Sequence, residues 1–273
     1  ALYFPIFEHY LQTNGLPEGL KYLPLVESRL LPKATSPVGA RGLWQFTYPT
    51  ARAYTLSITQ HVDERRDPIR STEAAVAYLS DLHTEFNDWA LVLAAYNCGA
   101  GRVRKAIRAA NSRDFWVLRP YLPSETQNYI PRFIAANYIM NYYGEYGLVP
   151  AYPEADLQQT QTIKVYDYMT FAEIAERTGI SKHTIAQLNP GFHRYYIPKS
   201  TRGYFLVLPE QAVSAFRQNE DKIKVLPASV GRVSSQASRT YIVQSGETLS
   251  SIARKHGCTV SDLKRWNGLD SNH

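Results

Sequence analysis

In the C-terminal part of the chain each residue can be read beside the one 78 positions later, and the two lines keep the same chemistry. Ile174-Ala175 recurs as Ile252-Ala253, Gly179 as Gly257, Ile185 as Leu263 and Asn189 as Asn267, with no slip of register. A fixed period of this kind means two copies of one small unit. Each copy reads as a strand (Ile163 to Val165, Tyr241 to Val243), an Ile-Ala helix and a second helix closing at the asparagine. The first copy adds a returning strand over Gly203 to Leu208. Everything before Gly147-Leu148-Val149-Pro150 lies outside the repeat and must build a core of its own.

A chain of 273 residues is long enough to do so. The expected boundaries are one domain over 1–152, a first small module over 160–224, a linker over 225–239 and a second module over 240–273. Pro227-Ala228-Ser229-Val230-Gly231 and the residues up to Ser238 are small, polar and turn-rich, the composition of a flexible tether. The first domain reads as helical. Asp67-Pro68 offers an N-cap and a first-turn proline, and Ala75, Val76, Leu79, Leu82 and Phe86 follow as a core stripe. Asn87-Asp88 breaks that helix, Trp89 to Tyr96 forms a short, largely buried one, and Gly99 to Gly101 allows a sharp turn into Arg102 to Ala110. A last helix starts at Ser124-Glu125 with Ser124 as N-cap, and Pro131 within it predicts a kink.

One segment carries chemistry rather than packing. Glu27 follows the apolar run Tyr22-Leu23-Pro24-Leu25-Val26, and the only charges between it and Phe46 are the basic Arg29, Lys33 and Arg41. A carboxyl among apolar neighbours is poorly hydrated, which favours its neutral form. An acid still protonated near neutral pH can give its proton to a leaving group. A lone Glu-Ser pair is more often a structural helix end. Three further segments set Glu27 apart: Gly39-Ala40-Arg41-Gly42-Leu43-Trp44-Gln45-Phe46, Ala95-Tyr96-Asn97-Cys98-Gly99-Ala100-Gly101-Arg102-Val103, and Glu125-Thr126-Gln127-Asn128-Tyr129-Ile130-Pro131.

In this order and at these spacings, the four segments resemble the catalytic domain of the lytic transglycosylases, in particular the membrane-bound D type of murein transglycosylase. The resemblance implies a mainly α, goose-lysozyme-like domain and a substrate, the glycan strand of peptidoglycan. It makes Glu27 the sole acid/base, cleaving between N-acetylmuramic acid and N-acetylglucosamine without water to leave a 1,6-anhydro sugar. By the same resemblance Ser28 completes the Glu-Ser pair, Ser36 and Gln45 contact sugar, Tyr96 orients the acid and Asn97 meets the N-acetyl group. Glu125 and Tyr129 line the cleft, Tyr129 within hydrogen-bonding reach of Glu27. For Glu125 a first-turn capping role, stabilised by the helix dipole, stands level with substrate contact. Trp44 reads more readily as core than as a sugar platform.

The second repeat, Tyr241-Ile242-Val243-Gln244-Ser245-Gly246-Glu247-Thr248-Leu249, resembles the LysM module, a small α+β (βααβ) fold that binds N-acetylglucosamine polymers. The resemblance places glycan between Gly246-Glu247-Thr248 and Gly268-Leu269-Asp270. Because the chain stops at His273, this copy is expected to lack its closing strand. The first copy has Tyr168-Met169-Thr170-Phe171 where the second has Gly-Glu-Thr-Leu, so packing against the first domain is at least as plausible for it as glycan binding.

Composition fits these expectations. A net charge of +6 suits an anionic polymer such as peptidoglycan, and with dispersed basic residues and no nucleic-acid motif, no nucleic-acid partner is expected. The 20 tyrosines and 4 tryptophans suit carbohydrate, although most will be packed. Cys98 and Cys258 fall in different expected domains, so no disulfide is expected, and neither cysteine shows metal-ligand spacing. No metal or cofactor is expected, and His61 and His83 read as solvated or locally bonded. The implied location is the periplasm of a Gram-negative bacterium, as an outer-membrane lipoprotein whose anchor lies outside this chain. Two other functions stay open: a wall-binding protein without catalysis, and a lysozyme-type hydrolase.

Overall fold

Side chains that accept from the first free N–H groups decide where the helices of the first domain begin. The computed structural model describes residues 2–150, 154–217, 224–225, 248–256, 260 and 263–264. Helix α1 (Phe4–Thr13) and the short α2 (Leu23–Ser28) are followed by α3 (Tyr48–Ala53), capped by Thr47. Helix α4 (Pro68–Phe86) starts as expected: Asp67 accepts from Ile69 N and Arg70 N at 2.8 and 2.9 Å, with Pro68 in the first turn. Asp88 caps α5 (Trp89–Cys98), which runs two residues past the expected end and so carries Asn97. Leu91, Val92, Leu93, Ala94 and Ala95 of α5 are all buried, the mark of a helix enclosed on every side. Gly99, at φ 90°, turns the chain into α6 (Ala100–Ala110), and Asp114 caps α7 (Phe115–Leu118).

Helix α8 (Ser124–Asn141) corrects one expectation. Pro123, in an extended conformation, holds the cap position, and Ser124 is already helical and caps nothing. Pro131 lies inside an unbroken α8. A proline withholds the bond to the carbonyl four residues back, here Gln127 O, and Arg119 Nε donates to that oxygen at 2.9 Å.

After α9 (Ala155–Gln158), the first module opens with β1 (Thr160–Val165) and β2 (Met169–Thr170). Helices α10 (Phe171–Thr178) and α11 (Lys182–Leu188) lead to β3 (Tyr196–Ile197), β4 (Tyr204–Pro209), α12 (Glu210–Arg217) and β5 (Lys224–Val225). Strand β1 lies between β4 and β5, antiparallel to both, with Ile163 opposite Leu206. The expected strand-helix-helix-strand order is present; the β2–β3 ladder, α12 and β5 are additions that the sequence pattern did not show. Ile163, Phe171, Ile174, Ile185, Leu206 and Phe216 form a core separate from that of the first domain.

The repeat is visible in the backbone. Helix α13 (Leu249–His256) has the eight-residue length of α10, and each of its ends lies 78 residues further on (249 − 171 and 256 − 178). Thr170 and Glu173 form a reciprocal cap at the start of α10, and Thr248 and Ser251 form the matching one at α13. Asn189, the recurring asparagine, is buried and behaves as a strand residue would, donating to Val207 O at 2.7 Å and accepting from Val207 N at 2.8 Å. By chain contacts, residues 1–231 and 232–273 form two units.

Candidate active site

Helix α2 ends one residue after Glu27, and the backbone there is strained. Arg29 and Leu30 both take left-handed φ values, 54° and 60°, which non-glycine residues seldom adopt. Such conformations persist only where the surroundings enforce them, and they gather at functional sites. The Ser28 hydroxyl, buried, lies 2.9 Å from Pro24 O and 2.8 Å from Leu43 O and so ties α2 to the glycine-rich loop. Tyr96 of α5 donates to the next carbonyl, Trp44 O, at 2.7 Å. Trp44 itself is fully buried and donates through its indole to Thr72 at 2.9 Å, as its core reading required.

The loop is held from its other side by a cluster of charges that the sequence reading did not single out. Gly42 can only be glycine: a Cβ there would lie 1.7 Å from Arg65 O. Arg65 donates to Gly39 O at 3.1 Å and through Nε and Nη2 to Asp63 at 2.8 and 2.7 Å, while Arg41 reaches Asp63 at 3.1 Å. Nothing local in the charge run Asp63 to Asp67 marks it as buried, because such a run more often faces solvent. Ser36 and Gln45 sit within this loop. Ser36 Oγ accepts from Ala40 N at 3.0 Å, and Gln45, at φ 50°, donates to Gly42 O at 2.8 Å.

Against this frame the Glu27 carboxylate accepts a hydrogen bond from the Tyr129 hydroxyl of α8. Burial pushes the Glu27 carboxyl up to about 7, outweighing the lowering effect of the Tyr129 bond, and the charge of Glu125 adds to the rise. Burial and the Glu27 charge in turn drive the Tyr96 and Tyr129 phenols well above their usual range, so both stay donors. Glu125 occupies the exposed first turn of α8. Asn97 Oδ1 accepts from buried Thr126 at 2.7 Å, which leaves the Asn97 NH2 group as its donor end. Tyr96 does not bond to Glu27 directly. Its ring lies 5.3 Å from that of Tyr78, which continues to Tyr54 at 5.2 Å, an aromatic row hidden in the sequence because its members come from three separate segments of the chain.

His61 is locally bonded as expected, its Nε2 lying 2.9 Å from Gln60 Nε2, and its Nδ1 also pairs with the distant Tyr196 of the first module, while His83 stacks on Trp89 at 4.3 Å. Further bonds join the same surfaces: Asp63 N donates to Gly191 O and His193 N to His61 O, each at 2.9 Å, and Arg202 reaches Glu64. The first module therefore packs on the first domain. Among the described residues no group of His, Cys, Asp or Glu is arranged to hold a metal ion. Gly246, Glu247, Gly268, Leu269, Asp270, Cys258 and the tether from 226 to 239 lie outside the described residues, and of the second glycan loop only Thr248 is described, as the α13 cap.

A helical domain carrying Glu27 with its raised carboxyl, followed by small repeated α+β modules, defines a class, and family models give it the same outline. Residues 4–118 match the transglycosylase SLT domain, 159–225 the LysM-like domain of lytic transglycosylase D, and 241–273 the LysM domain. In sequence the chain is similar to membrane-bound lytic murein transglycosylase D of Escherichia coli K12, to which it is 34% identical over 268 residues. That alignment covers 95% of this chain and 58% of the relative, so the chain spans somewhat more than half the length of the protein it matches. A membrane-bound lytic murein transglycosylase F of Shewanella sediminis is 35% identical over 39% of this chain and 22% of its own length. Among solved structures, the 70 kDa soluble lytic transglycosylase of Escherichia coli aligns with a TM-score of 0.45 and 27% identity, covering 51% of this chain and 24% of that one.

Proposed function

We propose that this protein is a peptidoglycan lytic transglycosylase in which Glu27 is the only acid/base. The observation that carries this reading is the state of Glu27: a half-buried carboxyl with no cation bonded to it among the described residues, held near pH 7 by burial and bonded to Tyr129. A group poised there can serve in both protonation states. As an acid it gives its proton to the oxygen linking N-acetylmuramic acid to N-acetylglucosamine, and the bond from that oxygen to C1 breaks. As a carboxylate it then takes the proton of the muramoyl C6 hydroxyl while O6 closes on C1, which restores the acid and consumes no water. The Asn97 NH2 group is suited to hold the acetamido oxygen that stabilises the cation at C1, with Ser36 and Gln45 as sugar contacts. The usual glycosidase pair of carboxylates is not needed for this route.

The LysM modules would bind glycan, with Gly246, Glu247, Thr248, Gly268 and Leu269 of the second copy as its contacts. We place the protein in the periplasm, held at the outer membrane by a lipid anchor outside this sequence; the support is that the relatives it resembles are named membrane-bound. No helix among the described residues is long and apolar enough to cross a membrane.

The test is mass spectrometry of fragments released from purified sacculi by the protein and by its Glu27→Gln form. Products ending in 1,6-anhydromuramic acid, absent with the variant, are expected. Reducing-end products would make the protein a hydrolase, with exposed Glu125 the first residue to examine as a base for water. No products from either form would leave a wall-binding protein.

A further inference from the structure

A pocket of about 140 Å³ lies where the turn after α2 meets the first module, lined by Lys33, Arg66, His193 and Tyr195 over a floor of Pro190 and Phe192. Its polar groups are cationic or neutral donors. Lys33 is exposed and sits five residues beyond Ser28, at the entry to the glycine-rich loop. Behind the pocket the balance of charge is positive. Asp63 is the acid that acts on both Arg66 and His193, and its oxygens are already bonded to Arg65 and Arg41. Glu64 is taken by Arg70, 3.8 Å away, and by Arg202.

A second observation is independent of the lining. Among the described residues two buried side-chain nitrogens have no hydrogen-bond partner, Arg41 Nε and Arg66 Nε, and both belong to this cluster. A buried guanidinium N–H without an acceptor is costly, and two of them here mark an excess of donors over acceptors around the pocket. Burial and the neighbouring arginines also hold the His193 imidazole below its usual range, and an anion in the pocket would offset that excess of positive charge.

We infer that this pocket is an anion subsite that takes a carboxylate of the peptide carried by the glycan strand, with Lys33 and Arg66 as its principal contacts. The inference rests on the transglycosylase reading, because that reading supplies a polymer whose substituents end in carboxylates. The site would grip the substrate beside the cleft and leave the chemistry at Glu27 untouched. It would also give the first module, which has lost the Gly-Glu-Thr-Leu loop, a share in substrate binding through His193 and Tyr195.

Two measurements test it. In the first, cleavage is followed on peptide-bearing strands and on the same strands stripped of peptide by an amidase, with wild-type protein, Lys33→Gln and Arg66→Gln. Wild type should show a KM about tenfold lower on the peptide-bearing strands, about 1.4 kcal/mol of binding. Each variant should erase most of that preference and leave kcat on stripped strands unchanged; exposed Lys33 provides a variant whose fold is not at risk. Equal KM values in wild type, or a preference that survives both variants, would overturn the inference. Cleavage of neither substrate would overturn the transglycosylase reading instead. The second measurement needs no activity: the His193 ring is titrated by NMR with and without a short acidic peptide. A rise in its pKa with the peptide, much weaker with inorganic phosphate at equal concentration, is expected; no rise, or an equal rise with phosphate, would count against a peptide carboxylate as the occupant.

Discussion

Glu27 and Asp63 are both carboxylates withdrawn from water within one domain, and they end in opposite states. Asp63 is fully buried, and burial alone would raise it, but the bonds and charge of Arg65, with Arg41 behind them, hold it below the usual carboxylate range. Glu27 has a neutral phenol as its partner, and burial wins, holding the acid near 7. The comparison shows that withdrawal from water sets no protonation state by itself; the kind of partner does. A guanidinium makes a carboxylate structural, whereas a phenol orients one and leaves it free to exchange a proton.

The largest effect expected from breaking this contrast is on activity. Glu27→Gln keeps the shape, removes the exchangeable proton and should lower kcat/KM on sacculi by at least about a thousandfold, against the 10²–10⁴ ordinarily contributed by one acid/base group. Retention of most activity would refute the assignment. On the structural side, Asp63→Asn leaves Arg65 buried without its counter-charge, which should cost about 3–5 kcal/mol in denaturant unfolding; a loss below about 1 kcal/mol would show that Arg65 finds other partners.

The two acids should also leave opposite marks on stability against pH. Asp63 stabilises the fold above the usual carboxylate range and loses that contribution only as pH falls through its lowered folded value. Glu27 does the reverse. Its unfolded form gives up its proton near 4.5 and its folded form near 7, so its contribution is intact in acid and declines as pH rises between the two. At 1.36 kcal/mol per pH unit that interval is worth about 3 kcal/mol, so Glu27→Gln should be more stable than wild type by about that amount at pH 8 and equal to it near pH 4. Equal stability at both would mean that water reaches Glu27 freely.

The smallest effect sharpens the role of the phenol. Tyr129→Phe removes the one bond that lowers Glu27, so the alkaline limb of kcat/KM against pH should move up by roughly one unit. A limb that stays in place would separate Tyr129 from the titration of the acid.

Much of this was legible in the chain. The Asp67-Pro68 helix start, the all-round apolar α5 and the 78-residue repeat are local patterns, and local backbone preferences reproduce them in three dimensions. Ser124 was misread because the pattern names residues able to cap and cannot say which one has the extended backbone; Pro123, held by its ring, took that place. Glu27 stood out by composition, and Tyr129 and Asn97 entered through motifs.

By itself the sequence determined a helical domain, two copies of a small module and one acid among apolar neighbours, because periodicity, capping and hydropathy act over a few residues. Only the tertiary structure decided that Arg65 clamps the loop beside that acid, that Tyr129 reaches it across 102 positions, and that the first module rests on His61 to Glu64. Those contacts join residues far apart in the chain, and both the burial of Glu27 and the partner it meets there, which together set its proton affinity, depend on how the helices pack rather than on which residues flank it.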